Sequence, residues 1–471
     1  MNNLIKKILL ILLYLMSIIF IYHIVTLNIF SAKYLTIIIP IIILLALLSL
    51  LILNKNKVVE IIFSILCILL SLFYLITSIY LSNTKDYIFK ATSNDTTYKT
   101  YQVLVLKENN YTKIKDLNNK TIGFLNIDSH LELSVEKLKE KISLKETTYD
   151  DVSLLYSALQ TKKVDAISID ENYLETLKED NKELLNNTKV IYKYRIDINQ
   201  NNKKNKEDKN ITNKKPYILY ISGSDSRTTV RAVSRSDVNI IAAVNPNTNK
   251  ILLVHIPRDY YVQLHGTTGV KDKLTHAGVY GINKSITTIE DILDIKIDKY
   301  VKVSFATVIK SVDLLGGIDI YSEKSFTPWT NRKCHIVTGT QHLNGRCALA
   351  FARERRTYLT GDRHRGENQE QVLTKIIEKI SNPQYLLKYN EILKKTSDSF
   401  ETNMTYEEIT SIVKEELDTL AKWNIESYNL DGVGDMQPTY SMGSMLLYVM
   451  QPDQSTIETA KQKIKEYLTE E

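Results

Sequence analysis

The chain has 471 residues, with 60 Lys and Arg against 54 Asp and Glu for a formal net charge of +6. Charged residues at 24%, with 15 Gly and 8 Pro, exclude a fibrous or wholly disordered chain, and three Cys exclude a disulfide-dense scaffold. The charge is uneven: the first 82 residues hold five Lys and one Glu, while 11 of the 12 Arg lie between Arg227 and Arg365, which excludes a uniformly basic nucleic-acid binder.

Uncharged runs of 25, 21 and 24 residues separate Lys7 from Lys33, Lys33 from Lys55, and Glu60 from Lys85. Each is long enough to cross a hydrocarbon core about 30 Å thick as a helix. The first run has the basic flank of a signal peptide but no small-residue cleavage site, so three retained helices are expected within residues 1–83, at about 8–30, 34–54 and 61–82. Lys6, Lys7, Lys55 and Lys57 fall on one side and Lys33 on the other. The positive-inside rule then puts the N-terminus in the cytoplasm and everything after residue 83 outside, in a multi-pass cell-membrane protein. His23 and Cys67 lie inside spans and read as packing residues.

Residues 86–198 alternate strand and helix patterns, with strands at Tyr101–Leu106, Lys120–Leu125 and Val164–Ile169 and a helix at Asp151–Gln160. The stretch Asp116–Phe124 and the run ending at Asp170 resemble one lobe of an extracytoplasmic solute-binding domain, although a spacer or docking role without a ligand is the favoured reading. No polar constellation is evident in this unit. Residues 199–216 are polar and read as a flexible linker.

Residues 217–385 give strands at Tyr217–Ser222, Val238–Asn245, Ile251–Pro257, Tyr300–Phe305 and Ile318–Ser322. A helix stops at Gly316-Gly317, and Glu367–Ile380 is amphipathic. Residues 386–471 read as a helical extension, with helices at Tyr406–Ala421 and Ser455–Leu468.

No phosphate-loop, dinucleotide, HExxH or GxSxG motif is present. Cys334, His335, His342 and Cys347 do not follow a common zinc spacing, and Cys334 and Cys347 are open to a disulfide or to two thiols. What remains is arginine beside carboxylate: Asp225-Ser-Arg227, Arg235-Ser-Asp237, Arg258-Asp259, Arg353-Glu-Arg355-Arg356 and Asp362-Arg363-His-Arg365. Guanidinium offers planar paired donors to phosphate oxygens, whereas Lys is a point charge. Interleaved carboxylates suit a metal-bridged diphosphate; single exposed ion pairs are the plainer alternative.

The ordered series GSDSR (223–227), RSD (235–237), IPRD (256–259), KLTHA (273–277), LLGGIDI (314–320), LNGRCALAFARER (343–355) and GDRHRGENQ (361–369) resembles the LytR-CpsA-Psr family of cell-wall ligases. The resemblance implies an α/β/α domain with a mixed central sheet and a tunnel for a polyprenyl chain. It also implies phosphotransferase activity, moving a teichoic-acid-like or capsular phospho-glycopolymer from a polyprenyl-pyrophosphate carrier onto peptidoglycan in a Gram-positive envelope, with no nucleic-acid partner. By the same resemblance Asp225 and Asp237 hold Mg²⁺ or Mn²⁺. Arg235, Arg258, Arg353, Arg355 and Arg365 bind the pyrophosphate with Gln369, Lys273 lies near the head group, and Asp259 orients Arg258 or acts as base. Many members carry Arg where this chain has Asn368, a position for which Arg356 or Arg363 are candidate substitutes. Two competing readings are a pyrophosphatase at the same site and a non-enzymatic membrane sensor or solute-binding protein. A transcriptional regulator lacks any cytoplasmic segment long enough to bind DNA.

Overall fold

The computed structural model describes residues 3–53, 56–92, 97–180, 185–198, 215–224, 230–358, 361–380, 382, 385, 389–396, 399–420 and 422–469. Lys55, Asp225, Arg227 and linker residues 199–214 therefore lie outside the described residues.

Three helices open the chain: α1 (Asn3–Leu27), α2 (Ala32–Leu48, extended by the turn Ser49–Leu53) and α3 (Lys57–Thr92). All three are long and apolar enough to cross a membrane. α1 starts earlier than the uncharged run suggests, and α3 continues through Lys85 and Asp86, because a charge does not stop a helix. Leu10, Leu13, Ser17, Phe20, Ile24 and Leu27 of α1 are buried, as are Ser64, Cys67, Ser71, Tyr74, Ser78 and Leu81 of α3. Both series step by three or four residues, the spacing of a helix seam, and the serines let the backbones approach. Phe20 stacks on Tyr74 at 5.0 Å between ring centres, and Lys6 pairs with Glu60 at 2.8 Å near the start of both helices.

A first α/β domain follows: β1 (Thr97–Leu106), β2 (Lys120–Leu125), α4 (Leu131–Lys139), β3 (Leu144–Tyr149), α5 (Val152–Gln160), β4 (Ala166–Asp170), α6 (Glu171–Asp180) and β5 (Thr188–Ile198). The strand order is β3-β2-β4-β1-β5, with β2 parallel to β3 and β4 and β1 antiparallel to both its neighbours. Asp151 caps α5 by accepting from the Leu154 amide at 2.7 Å. α4 covers one face through Val135 and Leu138. α5 and α6 cover the other, where Val279, Met442 and Leu447 of the next domain join the same apolar cluster.

The second domain is built from β6 (Tyr217–Ser224), β7 (Ser236–Asn245), β8 (Lys250–His255), β9 (Tyr261–Val262), β10 (Asp272–Lys273), α7 (Leu274–Ala277), α8 (Ile282–Leu293), β11 (Lys299–Ser304), α9 (Phe305–Leu314), β12 (Ile318–Ser322), β13 (Gly339–Leu343), α10 (Gly345–Ala352), α11 (Asp362–Ile380), α12 (Tyr389–Thr396), β14 (Phe400–Thr402), α13 (Tyr406–Thr419), β15 (Asn424–Asn429), β16 (Gly432–Thr439), β17 (Gly443–Pro452) and α14 (Gln454–Thr469). Its main sheet is mixed, in the order β14-β11-β6-β7-β8-β15, with β11 parallel to β6 and β15 parallel to β8. α8 and α14 pack on one face through Ile289, Leu293, Ile457 and Ile464. α11 packs on the other through Leu373 and Ile377. This is the α/β/α arrangement expected from the motif series.

One expectation is corrected. Residues 386–471 are not a helical extension: β14 and β15 are the two edges of the main sheet, and β16 and β17 form a hairpin. The edge strands β14 and β15 follow from tertiary pairing, which outweighs local pattern for short polar strands. The expected Ile318–Ser322 strand forms and pairs with β13 in a separate two-stranded ribbon.

The second domain also touches the membrane helices. Tyr406 donates its hydroxyl to the Leu27 carbonyl at 2.9 Å, Tyr34 donates to the Leu417 carbonyl at 3.0 Å, and Ser31 donates to Asp418 at 2.6 Å. α12 packs against both α3 and α9.

Candidate functional site

The carboxyl ends of β6, β8, β11 and β15 and the amino end of β7 meet at one edge of the sheet, where α/β folds bind ligands. Buried hydroxyls brace this edge. Tyr220 donates to Asn239 at 2.7 Å, and the hydroxyls of Ser222 and Ser236 lie 2.7 Å apart, as part of one network. Arg235 and Asp237 stand at the start of β7, and Arg258 and Asp259 follow β8 after Ile256 and Pro257. Lys273 closes β10, Arg353 caps the end of α10, and Arg365 and Gln369 are on the first turns of α11.

Arg258 donates to Asp237 at 2.8 Å, and Thr275 donates to the same carboxylate oxygen at 3.2 Å. On its other side Arg258 lies 3.6 Å from Asp259, which also faces Lys273 at 3.5 Å. Arg235, Arg258, Asp259, Lys273 and Arg365 are all buried. Burial alone would raise the Asp237 pKa, but Arg258, Arg235 and Arg365 outweigh it and hold the carboxyl well below its usual range. Asp259 behaves likewise: burial is overcome by Arg258, Lys273 and Arg365, and its pKa is lowered. A depressed pKa and two cationic partners suit Asp259 to orienting Arg258 rather than to taking a proton. Among the described residues, Arg235, Arg258, Lys273 and Arg365 gather around these two carboxylates, a setting suited to a multivalent anion.

Arg353 reaches the same edge by stacking on Phe305, at 4.3 Å from the ring centre, just beyond β11. Arg355 follows it in the loop, half-buried. Glu354 shapes that loop by accepting from the Arg356 and Thr357 amides at 2.6 and 3.1 Å. Arg356 is exposed and stacks on Trp329, while exposed Arg363 pairs with Asp431 at 2.7 Å. These are the two candidate substitutes for the arginine absent at 368, and each is held by a partner. Asn368 is buried and donates to the Phe351 carbonyl at 3.1 Å, so it pins α11 to α10.

Residues that the motifs did not single out complete the site. Thr275 belongs to the KLTHA series, which is its only signal in the sequence. His255 lies under Arg365 and packs against Gly366, where a Cβ would sit 2.5 Å from the imidazole. Burial foremost, and then Arg365, lowers its pKa to about 3, so it is neutral. Glu370 is buried, accepts from Asn429 at 3.0 Å, and is pushed up to about 8 chiefly by burial. Ser441, His276 and Asp272 also converge, at 2.8 and 2.6 Å, but both contacts use the imidazole Nδ1, so the group is no proton relay for a nucleophile.

Cys334 and Cys347 form a disulfide, with their Cα atoms 5.5 Å apart, which ties the loop before β13 to α10 and hence to the arm carrying Arg353. Asp225 lies outside the described residues.

The first domain does hold a polar constellation, contrary to its sequence reading. Lys99 is buried between Asp170 at 3.1 Å and Asp128 at 3.5 Å, and Tyr101 donates to Asp128 at 2.6 Å. The hydroxyl of Tyr194 lies 2.7 Å from those of both Ser134 and Ser168. Burial disfavours the charge on Lys99, yet Asp170 and Asp128 raise its pKa. The residues come from β1, the turn after β2, α4, β4 and β5, which are remote in sequence, so only the assembled domain makes the cluster legible.

Fold and site define an α/β/α domain that follows three helices long and apolar enough to cross a membrane and that holds a buried cluster of arginine, lysine and carboxylate side chains. The chain belongs to the LytR_cpsA_psr family, whose profile matches residues 182–466. TagU of Bacillus subtilis (strain 168), a polyisoprenyl-teichoic acid–peptidoglycan teichoic acid transferase, is 32% identical over 269 residues, covering 56% of this chain and 82% of that protein. TagV of the same strain, with the same designation, is 30% identical over 269 residues, covering 54% of this chain and 65% of TagV, just under two thirds of its length. The crystal structure of B. subtilis TagV aligns with 54% of this chain and 98% of its own, at 30% identity and a TM-score of 0.47.

Proposed function

We propose that this protein transfers a phosphate-linked anionic glycopolymer from a polyprenyl-diphosphate carrier to peptidoglycan. The observation that carries this reading is the clustering of buried Arg235, Arg258, Lys273 and Arg365 around Asp237 and Asp259 at the carboxyl edge of the sheet. Family membership and the activity for which TagU and TagV are named support it.

In this reading Arg235, Arg258, Arg365 and Lys273 hold the diphosphate oxygens, with Arg353, Arg355 and Gln369 around them. A sugar hydroxyl of the acceptor attacks the polymer-side phosphorus in line. A new phosphorus–oxygen bond forms, the bond to the bridging oxygen breaks, and polyprenyl phosphate leaves with the electron pair while the hydroxyl proton passes to solvent. Such a step needs positioning and charge stabilisation rather than a covalent enzyme intermediate. Asp237 suits a divalent cation: it is ionised, and its Oδ2 takes no part in the hydrogen bonds to Arg258 and Thr275, which use Oδ1. Asp225 and Asp237 would hold Mg²⁺ or Mn²⁺, which supplies charge neutralisation to the diphosphate. The domain stands outside the membrane, supported by the Lys excess at Lys6, Lys7, Lys55 and Lys57.

The test is membrane reconstitution with purified lipid-linked glycopolymer and a peptidoglycan oligomer. A phosphodiester-linked product is expected, and Arg258→Ala should lower turnover by about 10²–10³-fold, as loss of one transition-state donor does. Release of free polymer alone would establish the hydrolase instead. Calorimetric titration with lipid diphosphate present should find weaker Mg²⁺ binding in Asp225→Ala; unchanged affinity would remove Asp225 from the metal site.

A further inference from the structure

The segment that delivers Arg235 to the site, residues 230–234, is held from two sides. Its own domain supplies one: Lys302 on β11 donates to the Ala232 carbonyl at 3.0 Å. Gly278, after α7, packs so closely that a Cβ there would lie 2.6 Å from the Ser234 carbonyl oxygen and 2.7 Å from the Ser236 amide. The first domain supplies the other. Tyr98 of β1 donates its amide to the Arg231 carbonyl at 3.1 Å and accepts from the Val233 amide at 2.9 Å, a parallel bridge centred on Ala232. Asn172 of α6 donates its side-chain amide to the Val233 carbonyl at 3.0 Å.

Asn172 is itself fixed. Its backbone amide and its side-chain amide both donate to one oxygen of Asp170, at 2.9 and 2.8 Å, and Asp170 is anchored by buried Lys99. A chain of contacts therefore runs from buried Lys99 and Asp170 through half-buried Asn172 to Val233, two residues before Arg235. The apolar cluster shared through Val279, Met442 and Leu447 gives this contact a packed footing.

We infer that the first α/β domain is a positioning element for the reaction, and that Asn172 is the residue through which it sets the placement of Arg235. This deepens the proposed transferase reading and rests on it. Asn172 does not touch the diphosphate; it acts through the backbone of residues 233–235. A displacement of about 1 Å in a group that orients the reacting phosphate is enough to lower turnover by up to about 10²-fold.

The test uses the full chain in lipid nanodiscs, with the lipid-linked glycopolymer and peptidoglycan oligomer as substrates. Asn172→Ala should lower kcat by about tenfold, with KM changed by about twofold or less. In an Arg235→Lys background the same change should cost about twofold or less, because both substitutions act on one group. Hydrogen exchange should speed up in residues 230–236 and stay unchanged in β4 and α6. Asn172→Ser, one atom too short to reach the Val233 carbonyl but able to bond Asp170, should reproduce these results with the start of α6 intact. Unchanged exchange in residues 230–236, or effects of Asn172→Ala and Arg235→Lys that multiply in full, would overturn the inference. If the wild-type chain transfers no polymer, the transferase reading fails, and hydrogen exchange still decides whether Asn172 clamps the segment.

Discussion

At the scale of single residues, burial sets charge states in opposite directions on neighbouring side chains. Glu370 has its pKa raised from 4.5 to about 8, so the folded chain keeps a proton there that the unfolded chain has released. Its contribution to stability is therefore complete below about pH 4.5 and is lost as pH rises towards 8, at a limiting slope of about 1.4 kcal/mol per pH unit. His255 has the reverse sign: its pKa falls from 6.5 to about 3, so its contribution is present above 6.5 and is lost as pH drops towards 3. Thermal unfolding of Glu370→Gln should match the wild type near about pH 5 and show a higher midpoint near about pH 8.5. An identical pH profile in both proteins would mean that Glu370 ionises freely. These two residues escape a reading of the sequence because nothing local marks them. His255 ends an apolar strand, and Glu370 follows a run already charged. By contrast, Arg235, Arg258, Lys273 and Arg365 were legible as residue types, since a guanidinium or ammonium beside carboxylates carries its chemistry in its identity. Their convergence was not legible, because it depends on the sheet.

At the scale of elements, legibility tracked apolar content. β6, β7 and β8 are β-branched and buried and stand out in the sequence, whereas β15, with the sequence NIESYN, is polar and takes its place only by pairing in parallel with β8. β14 contributes three residues and pairs with β11 from the far edge. A chain ending at residue 399 would lose both edge strands and α14, whose Ile457, Ala460 and Ile464 complete the core beneath β7 and β8. Such a truncation should fail to give a folded second domain, as judged by loss of its cooperative thermal transition and by rapid proteolysis. Retention of that transition would show that the last 72 residues are dispensable. The α1–α3 seam was hidden for another reason. Its serines look unremarkable within apolar runs, and their three-and-four spacing becomes meaningful only once two helices are paired.

At the scale of the whole molecule, the N-terminal ends of α1 and α3 lie together, joined by Lys6 and Glu60, while the turn between α1 and α2 lies beside α13. Single cysteines introduced on a chain whose Cys67 is replaced by Ser should report sidedness. Lys465→Cys, at an exposed position of α14, should react with a membrane-impermeant maleimide in intact cells, and Lys57→Cys only after permeabilisation. The opposite pattern would invert the topology. The hydrogen bonds from Tyr406, Tyr34 and Ser31 carry a further consequence for how such a reaction is arranged in space. A domain fastened to the turn between its own first two helices has little freedom to swing away from the bilayer. The diphosphate of a polyprenyl lipid likewise stays at head-group level. On the proposed transferase reading, the lipid-linked donor is confined to the same bilayer as the fastened domain, and the travelling is left to the acceptor glycan.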